Sequence, residues 1–247
     1  ITCRDWSSDV CSSDLRIVWD IDKLFAVPEV SDAENWGLEG IKAIFYDALP
    51  YKGKPTKVFA YYGCPKGKKN EKFPAVVCVH GGGGTACPEW VKKWVEKGYA
   101  AIAMDLEGTV PAATDKNTKK RPQHQWHGPY QRGIFGDIDE NIEDQWMFHA
   151  VADVILAHSL IRSFPEVDSE RTGITGISWG GIIVCNVVGI DHRFKFAIPV
   201  YGCGYLFESG NQYQQAYERM GEETTLKCRR LWRSEEHTSE LQSRQVI

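Results

Sequence analysis

The sequence predicts an α/β fold in which a mostly parallel sheet is covered by helices on both faces. Short continuous apolar segments, such as Phe73–His80, Tyr99–Met104 and Phe194–Tyr201, are typical of parallel strands buried on both sides. Segments with helical periodicity separate these strands, and the longest is predicted at Ile142–Phe164. This alternation predicts right-handed crossovers between neighbouring parallel strands. At 247 residues, the chain is long enough for one such domain.

Composition narrows the classes of function. Hydrophobic residues make up 43% of the chain, charged residues 25%, and the formal net charge is −4. The lack of a basic run argues against nucleic-acid binding, and no apolar run is long enough to cross a membrane. Six of the eight cysteines lie between residues 16 and 232 and show no CxxC spacing, so most are expected to be free thiols, with a single disulfide as the alternative. We therefore expect neither a nucleic-acid partner nor a membrane partner.

Both ends of the chain differ in kind from its middle. Residues 5–15 are what a common sequencing-library adapter encodes, and residues 233–243 are what its reverse complement encodes. We therefore expect residues 1–15 and 233–247 to derive from the adapter, and we leave them out of the fold prediction. Residues 16–232 are then predicted to form one incomplete domain.

The first part of this domain is predicted to form an antiparallel edge of the sheet. Residues 16–35 predict an irregular arm. Trp36–Leu49 and Thr56–Cys64 carry strand signals, and the segment between them contains two prolines and a glycine, as a turn would. The first fully buried strand is then predicted at Phe73–His80.

A run of four glycines, Gly81–Gly84, directly follows His80 at the end of that strand. The backbone N–H groups of such a loop can approach a substrate and stabilise negative charge on its carbonyl oxygen. A flexible turn and a phosphate-binding loop are the alternatives, but the GxGxxG and GK[ST] spacings of phosphate loops are missing. We interpret the side chain of His80 as structural.

A long segment without regular structure, Thr109–Asp139, is predicted after the helix Pro88–Lys97 and its following strand. It contains Trp126, His127 and Tyr130, whose rings could stack on a sugar. These three residues are our candidates for substrate binding. A packed surface excursion without a binding role is an equal alternative.

The pattern Gly176-x-Ser178-x-Gly180 is a nucleophile-elbow motif. It lies between the predicted strand Arg171–Ile177 and the predicted helix Gly181–Val188. A sharp strand-to-helix turn exposes the serine hydroxyl and crowds the backbone around it, which glycines at the flanking positions relieve. The motif therefore predicts a nucleophilic serine at a strand end.

Taken in order, these motifs resemble the α/β-hydrolase superfamily, and within it the branch of acetyl xylan esterases and dienelactone-hydrolase-like proteins. The resemblance rests on four segments, Val77–Gly84, Ala101–Asp105, Gly173–Gly181 and Phe194–Gly204. It covers roughly residues 36–232. It implies an α/β-hydrolase three-layer sandwich with a mostly parallel central sheet, truncated at its C-terminal end.

The resemblance also implies roles for individual residues. Ser178 is the expected nucleophile, and the N–H of Trp179 is an expected oxyanion donor. The glycine loop is expected to supply the other donor, from Gly82 or Gly83. In this family the triad acid and histidine follow later strands, which would lie beyond Trp232. We therefore expect this chain to lack both groups and to be inactive by itself.

The predicted function is that of a serine carboxylic-ester hydrolase that acts through an acyl-enzyme and deacetylates carbohydrate esters. The expected partner is a small-molecule or oligosaccharide ester, and neither a metal nor an organic cofactor is implied. A prolyl-oligopeptidase-like serine peptidase shares the elbow and is an alternative. A non-catalytic binding protein could also use the same fold.

Overall fold

The computed structural model describes residues 18–113, 121–202, 210 and 212–220, and the predicted adapter-derived ends lie outside these ranges. A seven-stranded sheet organises the described part. Its strands are β1 (Val30–Asp32), β2 (Lys42–Tyr51), β3 (Lys54–Gly63), β4 (Phe73–Val79), β5 (Ala100–Met104), β6 (Val167–Ile177) and β7 (Phe196–Val200). The helices are α1 (Ile21–Phe25), α2 (Pro88–Glu96), α3 (Trp146–Ser163), α4 (Trp179–Val188) and α5 (Gln212–Glu218).

The strand order is β1-β2-β3-β5-β4-β6-β7. Strands β2 and β3 form the predicted antiparallel pair, and β3 pairs antiparallel with β5. From β5 onward, each neighbouring pair is parallel. The predicted α/β fold with a mostly parallel central sheet is therefore confirmed, and the carboxyl ends of β4, β5 and β6 meet at one edge of the sheet.

The core lies on both faces of the sheet. Along β4, Ala75, Val77 and Val79 belong to the apolar cluster on the side of α3 and α4. The alternate residues Val76 and Cys78 belong to the cluster on the side of α2. Because both faces are covered, β4 has no polar side, which explains its continuous apolar sequence.

The N-terminal arm is more regular than its sequence predicts. It contains the five-residue helix α1 and the short strand β1, where an irregular segment was expected. Trp19 stacks on Phe148 of α3 with ring centroids 5.4 Å apart and donates to its backbone oxygen, while Leu24 is fully buried. A helix this short is stable only through such tertiary contacts, so no local sequence pattern predicts it.

Helix α3 begins at Trp146, later than the predicted start at residue 142. The carboxylate of Asp137 accepts a 2.6 Å hydrogen bond from the Trp146 N–H, so a distant side chain satisfies the first turn. Residues Ile142–Asp144 form a separate 3-10 turn before it. None of the described helices is both long enough and apolar enough to span a membrane.

Candidate active site

Ser178 stands at the carboxyl end of β6 with φ 57° and ψ −120°, a conformation that is strained for a residue with a side chain. The flanking glycines allow it. A β-carbon on Gly180 would overlap the carbonyl oxygen of Val79 and lie 2.5 Å from that of His80. A β-carbon on Gly176 would lie 2.6 Å from the carbonyl carbon of Gly180. The pattern predicted from the sequence therefore has the backbone geometry of a nucleophile elbow.

Helix α4 starts directly at Trp179, so the Ser178 hydroxyl lies at a helix N-terminus. The carbonyl oxygen of Ser178 accepts the N–H groups of Gly181 and Ile182, which ties the elbow to the first turn. On the other side, the N–H of Ser178 donates to the carbonyl of Val200 on β7. The partial positive charge of the helix N-terminus favours negative charge that develops beside the serine.

The glycine loop after β4 packs against this elbow. The N–H of Gly84 donates to the Gly81 carbonyl at 2.9 Å, and Gly83 has φ +67°, so the loop makes a tight turn that needs glycine at its third position. A β-carbon on Gly81 would lie 3.3 Å from the β-carbon of Ser178. A β-carbon on Gly82 would lie 2.7 Å from the indole of Trp179. The structure thus brings the two glycine motifs together.

His80 uses both ring nitrogens for backbone contacts. Its Nε2 accepts the N–H of Leu106 at 2.9 Å, and its Nδ1 lies 2.7 Å from the carbonyl oxygen of Gly81. Burial lowers the pKa of the imidazole, so the neutral ring with hydrogen on Nδ1 fits these partners. The contacts agree with the structural role expected for His80, since neither nitrogen is left to take a proton from Ser178.

The loop after β5 is organised by Asp105. This buried carboxylate accepts hydrogen bonds from the hydroxyls of Thr85 and Thr109 at 2.6 and 2.7 Å. It also accepts the backbone N–H groups of Thr109 and Glu107 at 2.7 and 2.9 Å. Four donors on one carboxylate fix the loop beside the glycine turn.

Glu107 is a residue of the candidate site that sequence reasoning missed. Its Oε2 accepts the backbone N–H of Gln131 at 2.9 Å, and the backbone N–H of Gly83 lowers its pKa. Its Oε1 is buried and has no hydrogen-bond partner. Burial raises the pKa of Glu107 to about 7, and the charge of Asp105 adds to the rise. The only sequence signal was its position directly after a buried strand.

The three predicted substrate-binding residues lie in the segment that flanks this loop. Trp126 is 39% exposed, and its ring makes an edge contact with Phe45 at 5.5 Å. The backbone of His127 packs against Gly108, and Tyr130 is 41% exposed. No hydrogen bond within the described ranges joins these three residues to the side chain of Ser178, and their binding role stays a prediction.

No hydrogen bond in the described part of the chain joins the Ser178 hydroxyl to a histidine. The described residues also hold no cluster of three or more histidine, cysteine, aspartate or glutamate side chains that could bind a metal ion. Cys64, Cys78 and Cys87 are free thiols, as predicted for most of the cysteines.

A complete hydroxyl–imidazole–carboxylate relay lies elsewhere, in the core. His158 of α3 contacts Asp191 through Nδ1 at 2.7 Å and the hydroxyl of Thr172 through Nε2 at 2.8 Å. The side chains of His158 and Asp191 are fully buried. Burial lowers the pKa of His158, so the ring is neutral, donates to Asp191 and accepts from Thr172.

Comparison with known proteins identifies the family. Residues 32–222 match the family described as acetyl xylan esterase (AXE1). The chain is 24% identical over 151 residues to an acetyl esterase of Xylanibacter ruminicola, a match that covers 60% of this chain and 34% of that protein. It is 23% identical over 168 residues to a probable dipeptidyl-peptidase 5 of Aspergillus terreus, covering 65% of this chain and 20% of that protein.

Among solved structures, the acetyl xylan esterase from Paenibacillus sp. R4 superimposes with a TM-score of 0.57 at 24% identity. That match covers 93% of this chain and 71% of the esterase, and it supports the fold. The chain spans about a third of the length of the curated acetyl esterase that it matches. With the family match extending over most of the described residues, the chain belongs to the acetyl xylan esterase (AXE1) family.

Proposed function

We propose that this protein is a serine carboxylic-ester hydrolase in which Ser178 attacks the ester carbonyl and carries the acyl group. The observation that carries the proposal is the strained Ser178 backbone at the junction of β6 and α4, next to the glycine loop. Strain of this kind persists where the surrounding structure enforces it, and it is concentrated at functional sites. In the mechanism, the Ser178 Oγ–H proton passes to a histidine base that lies outside the described residues, and an acidic residue orients that base.

The tetrahedral intermediate needs donors for its oxyanion, and two are well placed. One is the N–H of Trp179, at the start of α4. We infer that the other is the N–H of Gly82, since the Gly84 N–H bonds to Gly81 and the Gly83 N–H acts on the pKa of Glu107. Of the two glycines predicted from the sequence, Gly82 therefore fits the role better. Loss of one such donor typically costs a factor of about 10² to 10³ in rate.

We propose acetyl esters of carbohydrates as substrates. Support comes from the family, described as acetyl xylan esterase, and from the acetyl esterase of Xylanibacter ruminicola. The exposed rings of Trp126 and Tyr130, on a segment that flanks the glycine loop, offer surfaces on which a sugar ring could stack.

The nucleophile assignment is tested by labelling with a fluorophosphonate, which reacts with activated serines. Wild-type protein should incorporate the label, and Ser178→Ala should not. Ser31→Ala, on the exposed strand β1, is the matched control and should label like the wild type. Equal labelling of the wild type and Ser178→Ala would refute the assignment. The test is run on this chain and on the longest protein that its gene encodes, because the proposed histidine base lies outside the described residues.

A second candidate function is that of a serine peptidase. It is favoured by the similarity to the probable dipeptidyl-peptidase 5 of Aspergillus terreus. Turnover of p-nitrophenyl acetate, compared with that of a proline anilide, separates the two candidates. Faster cleavage of the anilide would favour the peptidase, and turnover of neither substrate by the longest frame would favour a non-catalytic binding protein.

A further inference from the structure

Side chains from two other segments hold the glycine loop from outside. We propose that Glu107 and Arg121 form a clamp that fixes the amide of Gly82 at the oxyanion position. Both are positioning residues, since each acts on the loop backbone. This inference rests on the proposed esterase function and adds to it a device that pre-organises the oxyanion hole.

Arg121 holds the carbonyl side of the loop. Its Nη1 donates to the carbonyl oxygens of Gly83 and Gly84, at 3.0 and 3.2 Å. One guanidinium therefore bridges two consecutive peptide groups. This contact orients both carbonyls toward Arg121, and it constrains the peptide planes that carry the neighbouring N–H groups.

Glu107 holds the amide side. Its carboxylate accepts the N–H of Gln131 at 2.9 Å, and the backbone N–H of Gly83 lowers its pKa. The Oε1 of Gln131 lies 2.8 Å from the position that a β-carbon on Gly82 would occupy. Glu107 is thus tied to the segment that covers the turn, and in the proposed clamp it draws the Gly83 amide away from the substrate.

A loop of four glycines needs such anchors. Glycine loses more backbone entropy on ordering than any other residue, and the hydrogen bond from Gly84 to Gly81 is the internal bond recorded for this turn. An oxyanion donor stabilises a transition state only if it is already oriented when the charge develops. The clamp supplies this order without placing a side chain between the loop and Ser178.

The charge on Glu107 tunes the clamp. The pKa of its carboxyl group is raised to about 7, because burial and the charge of Asp105 outweigh Arg121 and the N–H groups of Gln131 and Gly83, which lower it. An ionised carboxylate accepts N–H groups more strongly than a protonated one. The hold on the Gly83 amide should therefore strengthen as the pH rises through about 7.

The clamp can be observed in this chain without turnover. In protein labelled with 15N-glycine, the Gly83 amide proton should move downfield as the pH rises, with a midpoint near 7, and it should stay constant in Glu107→Gln. Glu140→Gln, which removes an exposed carboxylate paired with Lys52, is the control and should keep the titration. A Gly83 amide that does not titrate in the wild type, or that titrates equally in Glu107→Gln, would overturn the proposal.

A rate measurement adds a functional readout. The ratio of the wild-type fluorophosphonate labelling rate to that of Glu107→Gln should rise about tenfold between pH 6 and pH 8. If this ratio of labelling rates is constant between pH 6 and pH 8, the clamp does not contribute to the reaction of Ser178. Arg121→Gln should slow labelling at every pH and leave the midpoint of Glu107 displaced upward, because a neighbouring positive charge is lost. If Ser178 takes no label at all, the esterase proposal fails, while the amide titration still decides whether the clamp exists.

Discussion

Two hydroxyl groups on one strand have opposite surroundings. Thr172, in the middle of β6, is fully buried and bonds to a histidine that bonds to an aspartate. Ser178, at the end of the same strand, is half-buried and strained, and in the described residues no histidine reaches it. The buried relay of Thr172, His158 and Asp191 is complete but is inaccessible to a substrate. Ser178 is accessible, but within the described part no histidine is hydrogen-bonded to it.

The difference teaches that the three groups of a triad do not by themselves define an active site. His158 and Asp191 connect α3 to the loop before β7, and Arg193 adds hydrogen bonds of 2.7 and 2.8 Å to the same carboxylate. The guanidinium of Arg193 in turn lies over the Phe25 ring, with its carbon 3.7 Å from the centroid. This relay stabilises the fold, whereas the elbow stores strain that suits chemistry.

The largest expected effect is on the buried relay. Asp191→Ala should lower the free energy of unfolding by about 4 kcal/mol, because it leaves His158 and Arg193 without their partner. The hydrogen bonds of Arg193 and His158 hold the pKa of Asp191 below its ordinary value, although burial alone would raise it. Denaturant unfolding measures the loss.

Glu170→Ala is the control for this change, because it removes an exposed partner of Arg162 and should alter stability little. While the Asp191→Ala protein is folded, Ser178 should still accept the fluorophosphonate. Loss of labelling without loss of stability would mean that the relay acts on the elbow, and the contrast between the two regions would be wrong.

Gly180→Ala tests the strained side of the comparison. The new methyl group would overlap the backbone of Val79 and His80, so the elbow must open. We expect a loss of about 3 kcal/mol in unfolding free energy, together with loss of Ser178 labelling. Gly37→Ala is the control, since its methyl group would meet its nearest neighbour at 3.8 Å. Normal labelling of Gly180→Ala would show that the chemistry does not need the tight turn.

Thr172→Val keeps the shape of the buried relay and removes its hydroxyl. The Nε2 of His158 then lacks its donor in the core, which should cost about 2 kcal/mol of unfolding free energy. Thr175→Val on the same strand is the matched control. Its hydroxyl donates to the Ile198 carbonyl near solvent, where water can replace it, so the loss should stay below about 1 kcal/mol. Equal losses of unfolding free energy in the two variants would contradict the larger contribution to stability that we assign to the buried relay.

The two regions should also differ in the sign of their pH response. Burial keeps the pKa of His158 below its ordinary 6.5, so its contribution to stability is complete above pH 6.5 and is lost as the pH falls further. The pKa of Glu107 is raised from 4.5 to about 7, so its contribution is complete below pH 4.5 and is lost as the pH rises to about 7.

Glu107→Gln should therefore gain stability relative to the wild type between pH 4.5 and 7, by about 2 kcal/mol after allowance for partial exposure. Unfolding curves at several pH values measure this difference, and Glu140→Gln serves again as the control. A constant difference across the range would mean that Glu107 is ionised throughout, and its pH-dependent hold on Gly83 would then be lost as an explanation.

Much of the fold could be predicted because its signals are local. Continuous apolar runs predicted the buried strands β4 and β5, and the elbow motif predicted the turn from β6 to α4. The run Phe194–Tyr201 predicted the strand β7, but its predicted burial on both sides was wrong, since Ile198 and Val200 are 46% and 38% exposed. The short elements α1 and β1 were missed, since packing of Trp19 and Leu24 on the core stabilises them and no local pattern does. The start of α3 was predicted too early, because a carboxylate from Asp137 sets it.

In the candidate site, too, features with a local sequence signal could be predicted, and features that depend on tertiary contacts could not. The sequence alone determined that a serine would stand between glycines at a strand end, because close backbone approach there excludes any side chain and so leaves a readable pattern. The contact of Arg121 with the glycine loop, and that of His158 with Asp191, became visible once the chain was folded. Those contacts join residues that are distant in sequence. The sequence does not indicate which partner a carboxylate or a guanidinium will have, because the partner matters only once burial has removed the surrounding water.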